Sequence, residues 1–234
     1  MTTTIKCHDC GKMMKVTIEE MALPIVTVTK KMSADSSWAE IAKKIRNGQS
    51  DLKVGDEITF ADADGNLVTV QVACLNPYAE NEVAFVLKDC WNVKHEMNEE
   101  STNDGGWKES AMRKWLNGEV FNSLPEDLRS VIKTREVRQD LGGDALSVSY
   151  DKLWLLSRKE VTDYDTGSDA DDIWFTIFDR EKSRAKSFGD QMSVWWLRSP
   201  QASGSSSFTY VSIDGHSYNY DASGSYGVAF GFLI

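Results

Sequence analysis

From Val194 onward the sequence runs strand after strand, and this constrains the fold more than any other feature. Val194 to Leu197, Phe208 to Ile213, His216 to Tyr220 and Val228 to Ile234 are β-branched or aromatic runs of strand length. Asp214-Gly215 supplies the residues a tight hairpin turn requires between the middle two. Connections this short force antiparallel pairing.

Upstream, helices and strands mix. Ser37-Trp38-Ala39-Glu40 has the form of a capping box, Trp38, Ile41 and Ile45 share one helical face, and Asn47-Gly48 closes the helix. Glu57 to Ala61 and Leu67 to Ala73 flank Asp64-Gly65-Asn66 as a hairpin, and Val83 to Lys88 is a further strand. A second helix is predicted from about Lys108 to Leu116, with Met112, Trp115 and Leu116 on one face and Asn117-Gly118 as its stop. Pro125 suits the first turn of a short helix containing Leu128. The apolar run Leu153 to Leu156 leads into Ser157-Arg158-Lys159-Glu160, another capping box. Early helices and C-terminal antiparallel hairpins describe an α+β domain, without the regular alternation of a parallel sheet or any solenoid repeat. That domain takes residues 34–234. Residues 1–33 form a small appendage, in which Cys7-His8-Asp9-Cys10-Gly11 is a tight turn and Val16 to Ile18 and Ile25 to Thr29 are β-branched runs around Pro24.

Eight Trp, nine Phe and seven Tyr in 234 residues supply a substantial core; Trp115, Trp154, Trp195 and Trp196 are expected inside it. Lys and Arg number 26 against 36 Asp and Glu, a net charge of -10 that repels a phosphate backbone and argues against nucleic-acid binding. No apolar run approaches the ~20 residues needed to cross a bilayer. Met1 to Lys6 lacks the basic flank and apolar stretch of a signal peptide. The expectation is a chain without membrane insertion, cytoplasmic at synthesis, its four cysteines too few for a disulfide framework.

Candidate chemistry is sparse. Cys7 and Cys10 have the spacing of half a zinc site or of a redox pair; no second CxxC or HxxxH occurs, so Cys74, Cys90 or a symmetry mate would have to complete a metal site, and an unliganded turn is the plainer reading. Asp163, Asp165, Asp169, Asp171 and Asp172 crowd one stretch without the register of an EF-hand loop and read as a solvated acidic loop. Asp62-X-Asp64-Gly65-Asn66 is better explained as a hairpin turn than as a calcium loop. His8, His95 and His216 have no triad or metal-hydrolase context, and GxSxG, HExxH, GxxxxGK[ST] and GxGxxG are absent. No catalytic residue, metal ligand or cofactor is assigned.

Ala202 to Gly227 contains no Lys, Arg, Glu, Gln, Met, Trp or Pro and is dominated by Ser, Tyr and Gly. This is the chemistry of antibody contact loops, where tyrosine gives amphipathic area with few rotors and Ser and Gly adapt around it. A plain Ser/Gly-rich surface hairpin has the same composition.

The blocks Gly105-Gly106-Trp107-Lys108-Glu109-Ser110-Ala111-Met112-Arg113-Lys114-Trp115-Leu116-Asn117, Leu124-Pro125, Asp151 to Ser157, Trp195-Trp196-Leu197-Arg198-Ser199-Pro200 and Gly227 to Phe232 occur in that order. From about Trp38 to Ile234 the sequence resembles a bacterial and phage domain family that includes the variable proteins of diversity-generating retroelements. The resemblance implies a C-type lectin fold of the formylglycine-generating-enzyme type, residence in the cytoplasm or a phage virion, and codons AAC or AAT scattered by reverse transcription. Substitution at the first two bases of such codons never gives Lys, Glu, Gln, Met or Trp, and every residue from Ala202 to Gly227 lies in the reachable set. By resemblance the diversified, ligand-binding positions are Gly204, Ser206, Ser207, Tyr210, Ser212, His216, Tyr218, Asn219, Tyr220, Asp221, Ser223, Gly224 and Tyr226. Phe208, Val211, Asp214-Gly215 and Gly227-Val228 are framework, with Phe208, Val211 and Ile213 pointing inward or holding the turn. Two departures stand out. Ser217 occupies a position where an apolar framework residue is expected, and no Cys follows Cys90, so the catalytic cysteine pair of formylglycine-generating enzymes has no counterpart.

The expected function is therefore display of a hypervariable patch, in about 202–227, that recognises a macromolecular ligand, a protein above all, without catalysis. A metal-assisted enzyme using the acidic loop or the CxxC, and a fixed carbohydrate-binding module whose tyrosines stack on sugars, are the alternatives.

Overall fold

A computed structural model describes residues 37–142, 146–164, 168–169, 171–202 and 204–234, and the backbone of 2–6 and 13–17. In chain order the strands are β1 Thr2–Lys6, β2 Met13–Thr17, β3 Glu57–Ala61, β4 Leu67–Leu75, β5 Val83–Leu87, β6 Arg135–Gln139 and β7 Ser147–Asp151. They continue with β8 Trp154–Leu155, β9 Lys186–Phe188, β10 Gln191–Ser193, β11 Trp195–Pro200, β12 Ser207–Val211, β13 Ser217–Asp221 and β14 Phe230–Leu233. The helices are α1 Trp38–Arg46, α2 Gly106–Glu109, α3 Ala111–Trp115, α4 Phe121–Ser123, α5 Glu126–Val131, α6 Arg158–Thr162 and α7 Glu181–Arg184.

The fold is mixed, mostly β, in several antiparallel sheets with short helices. β3, β4, β5, β14 and β8 form a five-stranded sheet in that order, so the C-terminal strand lies inside it, with Phe232 opposite Phe85. α1 forms where the sequence places it. Ser37 accepts a hydrogen bond from the Glu40 amide, Trp38, Ile41, Ala42 and Ile45 are buried, and Gly48 ends the helix at φ +65. Trp38 meets Phe60, Phe85 and Phe232 edge-on, at ring separations of 6.0, 5.7 and 6.1 Å, which docks α1 on this sheet. β3 and β4 join through Gly65 at φ +85. Asp62 Oδ1 accepts from the Asp64 and Asn66 amides, so its carboxylate is spent on the turn.

A second sheet, β11-β12-β13, stands apart from the first. Residues 226–228 tie β11 and Trp91 to the segment that leads into β14, and the Arg198 amide of β11 donates to the Leu156 carbonyl just past β8. The Trp196 amide donates to the Gly227 carbonyl, the Gly227 amide to Val194, and the Trp91 amide to Val228.

The helix predicted over Lys108–Leu116 is corrected by the structure. It breaks at Ser110, whose ψ of 144 is extended and whose side chain caps α3. It then continues past Asn117-Gly118 as a π turn over Leu116–Val120 and into α4. Asn117 does not stop the helix because its side chain clamps a distant segment, accepting from the Lys152 and Leu153 amides and donating to the Leu153 carbonyl. Trp115 is half-buried, whereas Trp154, Trp195 and Trp196 are fully buried. The β6–β7 and β9–β10 hairpins form without a strong strand pattern in the sequence. In the appendage β1 pairs with β2, so its strands flank the CxxC; Cys7, Cys10 and Ile25 to Thr29 lie outside the described residues.

Candidate binding surface

The three-stranded sheet is graded from inside to outside. All six residues of β11 are buried, β12 buries Phe208, Thr209 and Val211 and leaves Ser207 and Tyr210 half-buried, and the outer strand β13 has none buried. Trp196 pairs with Tyr210 and Tyr210 with Tyr218, which lays one aromatic row across all three strands. Tyr220 follows on the same face, opposite the buried Phe208.

Four tyrosines meet there. Tyr210 lies 6.0 Å from Tyr218, 6.3 Å from Tyr220 and 5.5 Å from Tyr226, and Tyr220 lies 5.2 Å from Tyr226. Beneath them the buried Trp196 contacts Tyr226 at 4.8 Å and Tyr210 at 6.4 Å. Tyr218 and Tyr220 are each 50% exposed. Burial first, then Tyr220 and Tyr210, push the Tyr226 hydroxyl up to about 12, so it stays neutral at physiological pH.

None of the thirteen sequence-assigned positions is buried. Tyr210, Tyr218, Tyr220 and Tyr226 converge. Ser207, Asn219 and Asp221 alternate to the reverse face, where Thr209 Oγ1 donates to Asn219 Oδ1 at 3.1 Å. At the β12–β13 turn, Ser212 donates to Asp214, and the His216 ring lies 3.4 Å from Asp214 and 3.2 Å from Glu181. At the other end Asp221 accepts from Ser101 and Ser223, and Gly224 abuts the Tyr220 ring. Gly204, Ser206 and Ser207 begin the ribbon, with Asn103 Nδ2 donating to the carbonyls of Gln201, Gly204 and Ser207. The four tyrosines thus share one face, and the thirteen positions as a set do not.

Among the framework residues, Phe208, Val211, Gly215, Gly227 and Val228 are buried. Ile213 is 57% exposed at the turn tip, because the chain there serves the turn and has no core to meet. Ser217 is polar because it accepts a hydrogen bond from Arg158 Nε at 2.9 Å.

Two features escaped the sequence reading. First, Asp169 and Asp172 are buried, in a stretch expected to be solvated. Asp172 and Glu160 each bridge Arg135 and Arg198. Arg135 donates to both at 2.6 Å, Arg198 Nη1 donates to Glu160 at 2.6 Å, and Arg198 Nη2 pairs with Asp172. Tyr78 adds a hydrogen bond to Glu160 at 2.6 Å. Burial alone would raise the Glu160 carboxyl, but Arg135 and Arg198 outweigh it and hold it at about 2. The cluster fastens β11, and with it the tyrosine-bearing ribbon, to α6, β6 and the 171–173 segment. A lone Arg198 inside Trp195-Trp196-Leu197 was the available signal, since a charge in a buried strand needs partners. Second, His95, outside 202–227, pairs with Tyr226 in an isolated antiparallel backbone bridge, and its ring stacks on Trp115 at 4.4 Å.

Among the described residues no group of three or more His, Cys, Asp and Glu side chains is placed to hold a metal ion. Burial pushes the Cys90 thiol up to about 11, away from the reactive thiolate. No described helix is long and apolar enough to cross a membrane.

A mixed antiparallel domain with a graded three-stranded ribbon and an aromatic outer face is the class of structure defined here. Residues 81–234, about two thirds of the chain, match a family described as a domain of unknown function, DUF6273, and the chain belongs to that family. No curated protein and no solved structure matches it.

Proposed function

We propose that this chain is a binding protein of the retroelement variable-protein kind. Its domain is of C-type lectin type, it acts by recognition without catalysis, and it engages a macromolecule, a protein above all, through Tyr210, Tyr218, Tyr220 and Tyr226 and the diversified positions around them. The observation that carries this reading is the contrast within one short ribbon. Tyr218 and Tyr220 present their rings to solvent, with Tyr210 and Tyr226 half-buried beside them, while Phe208, Thr209, Val211, Ala222 and Gly227 between them are buried. Residues at the surface tolerate exchange, and residues at native packing density do not. The interior position of β14 and the separate ribbon are also consistent with the proposed fold type.

The test is a combinatorial library at the thirteen positions, restricted to residues reachable from AAC and AAT codons. Most members should stay within about 0.5 kcal/mol per site of the parent stability, and selected members should bind new protein targets. A library that is largely unfolded, or that folds and yields no binders, contradicts the proposal.

A further inference from the structure

Resting on the binding role proposed above, we infer that the tyrosine surface takes a protein segment bearing arginine or lysine side chains. Ring geometry is the first argument. Tyr210 makes interplanar angles of 38° with Tyr218, 59° with Tyr226 and 90° with Tyr220, so the rings are splayed and no flat platform of the kind a sugar face stacks on spans them. Splayed, electron-rich faces suit a cation that sits over one ring and beside the next.

The chain already uses this interaction elsewhere. Arg135 lies over Tyr78 and Trp154, Arg158 over Tyr164, Lys186 over Phe178 and Trp195, and Lys94 over Phe188. Those contacts fall on other rings and leave the surface tyrosines with one another. Arg158 is on the reverse face, donating to Ser217, and Lys94 is held 5.0 Å above Phe188.

Charge supplies the third argument. Asp214 and Glu181 flank one end of the ribbon and Asp221 marks the other. Glu96, Glu99 and Glu100 follow along the segment whose His95, Met97 and Asn98 amides bond to Tyr226 and Ala222. Burial first, then Tyr218, Tyr220 and Asp214, raise the Tyr210 hydroxyl. The carboxylates around the ribbon attract a positive charge, and the net charge of -10 steers it in.

The experiment is to pan a phage-displayed random peptide library on the full chain and on a Tyr218→Ser/Tyr220→Ser variant. Clones retained only by the parent should be enriched in Arg and Lys at least about twofold, and replacing their arginines by the neutral isostere citrulline should weaken binding by on the order of fivefold or more. Tyrosine-dependent clones without cationic enrichment, or binding unmoved by citrulline, overturn this inference and leave the binding role standing. Tyrosine-dependent retention on a glycan array with no peptide binders overturns it in favour of a carbohydrate ligand. A library with no tyrosine-dependent clone and an array with no signal contradict the binding role itself.

Discussion

Arg198 is the residue on which the ribbon's position turns. Its side chain is fully buried, donates to Glu160, Asp172 and the Leu155 carbonyl, and stands two residues from Trp196. Removing it leaves two carboxylates facing Arg135 alone in a dry interior. Arg198→Ala is therefore expected to cost ~3–5 kcal/mol in chemical denaturation, the range for breaking a buried ion pair from one side. The same cluster sets a pH dependence of two signs. Burial pushes the Asp172 carboxyl up to about 6, which favours the folded chain as pH falls from about 6 towards the ordinary aspartate range, whereas Glu160 acts the other way at lower pH. Glu160 is held at about 2 in the folded chain, below its ordinary value, so its contribution is whole above the ordinary glutamate range and is lost as pH falls towards 2. Thermal midpoints should fall across that window, and Glu160→Gln should flatten the fall while lowering the midpoint at neutral pH.

The elements that were legible in the sequence are those whose reasons are local. α1, the β3–β4 hairpin, the Ser157 capping box and the Asp214-Gly215 turn follow from caps, periodicity and turn chemistry within a few residues. What was missed depends on partners far along the chain. Asn117 reads as a helix stop and acts as a clamp on Leu153, and Asp172 reads as a solvated acid and pairs with Arg135 and Arg198. The site divides the same way. Composition marked the tyrosines, whereas His95, stacked on Trp115, is tied to them through its backbone bridge with Tyr226. The β12–β13 turn gives a direct check. Gly215 has φ +88, and a Cβ there would collide with the Glu181 carbonyl. Gly215→Ala should destabilise by at least about 1 kcal/mol in denaturant unfolding, and an unchanged stability would show that the turn does not set the ribbon.

At the scale of the whole molecule, a large aromatic core carries a ribbon whose outer face it does not need. The main domain holds its own capped first helix and five-stranded sheet. Deleting residues 1–33 should therefore leave a chain that unfolds cooperatively, and a molten or aggregated product would show that the appendage is part of the core. The central claim is that the exposed residues of the ribbon are written by a diversifying process and the buried ones are kept. Sequencing the DNA beside the coding region tests it most directly. The account predicts a reverse-transcriptase gene and a near-repeat of the segment encoding residues 202–227, differing from it only opposite adenines and at the codons of Tyr210, Tyr218, Tyr220, Tyr226 and their exposed neighbours. Flanking DNA with neither feature, or a repeat whose differences fall on Phe208, Val211 and Gly227, would contradict it.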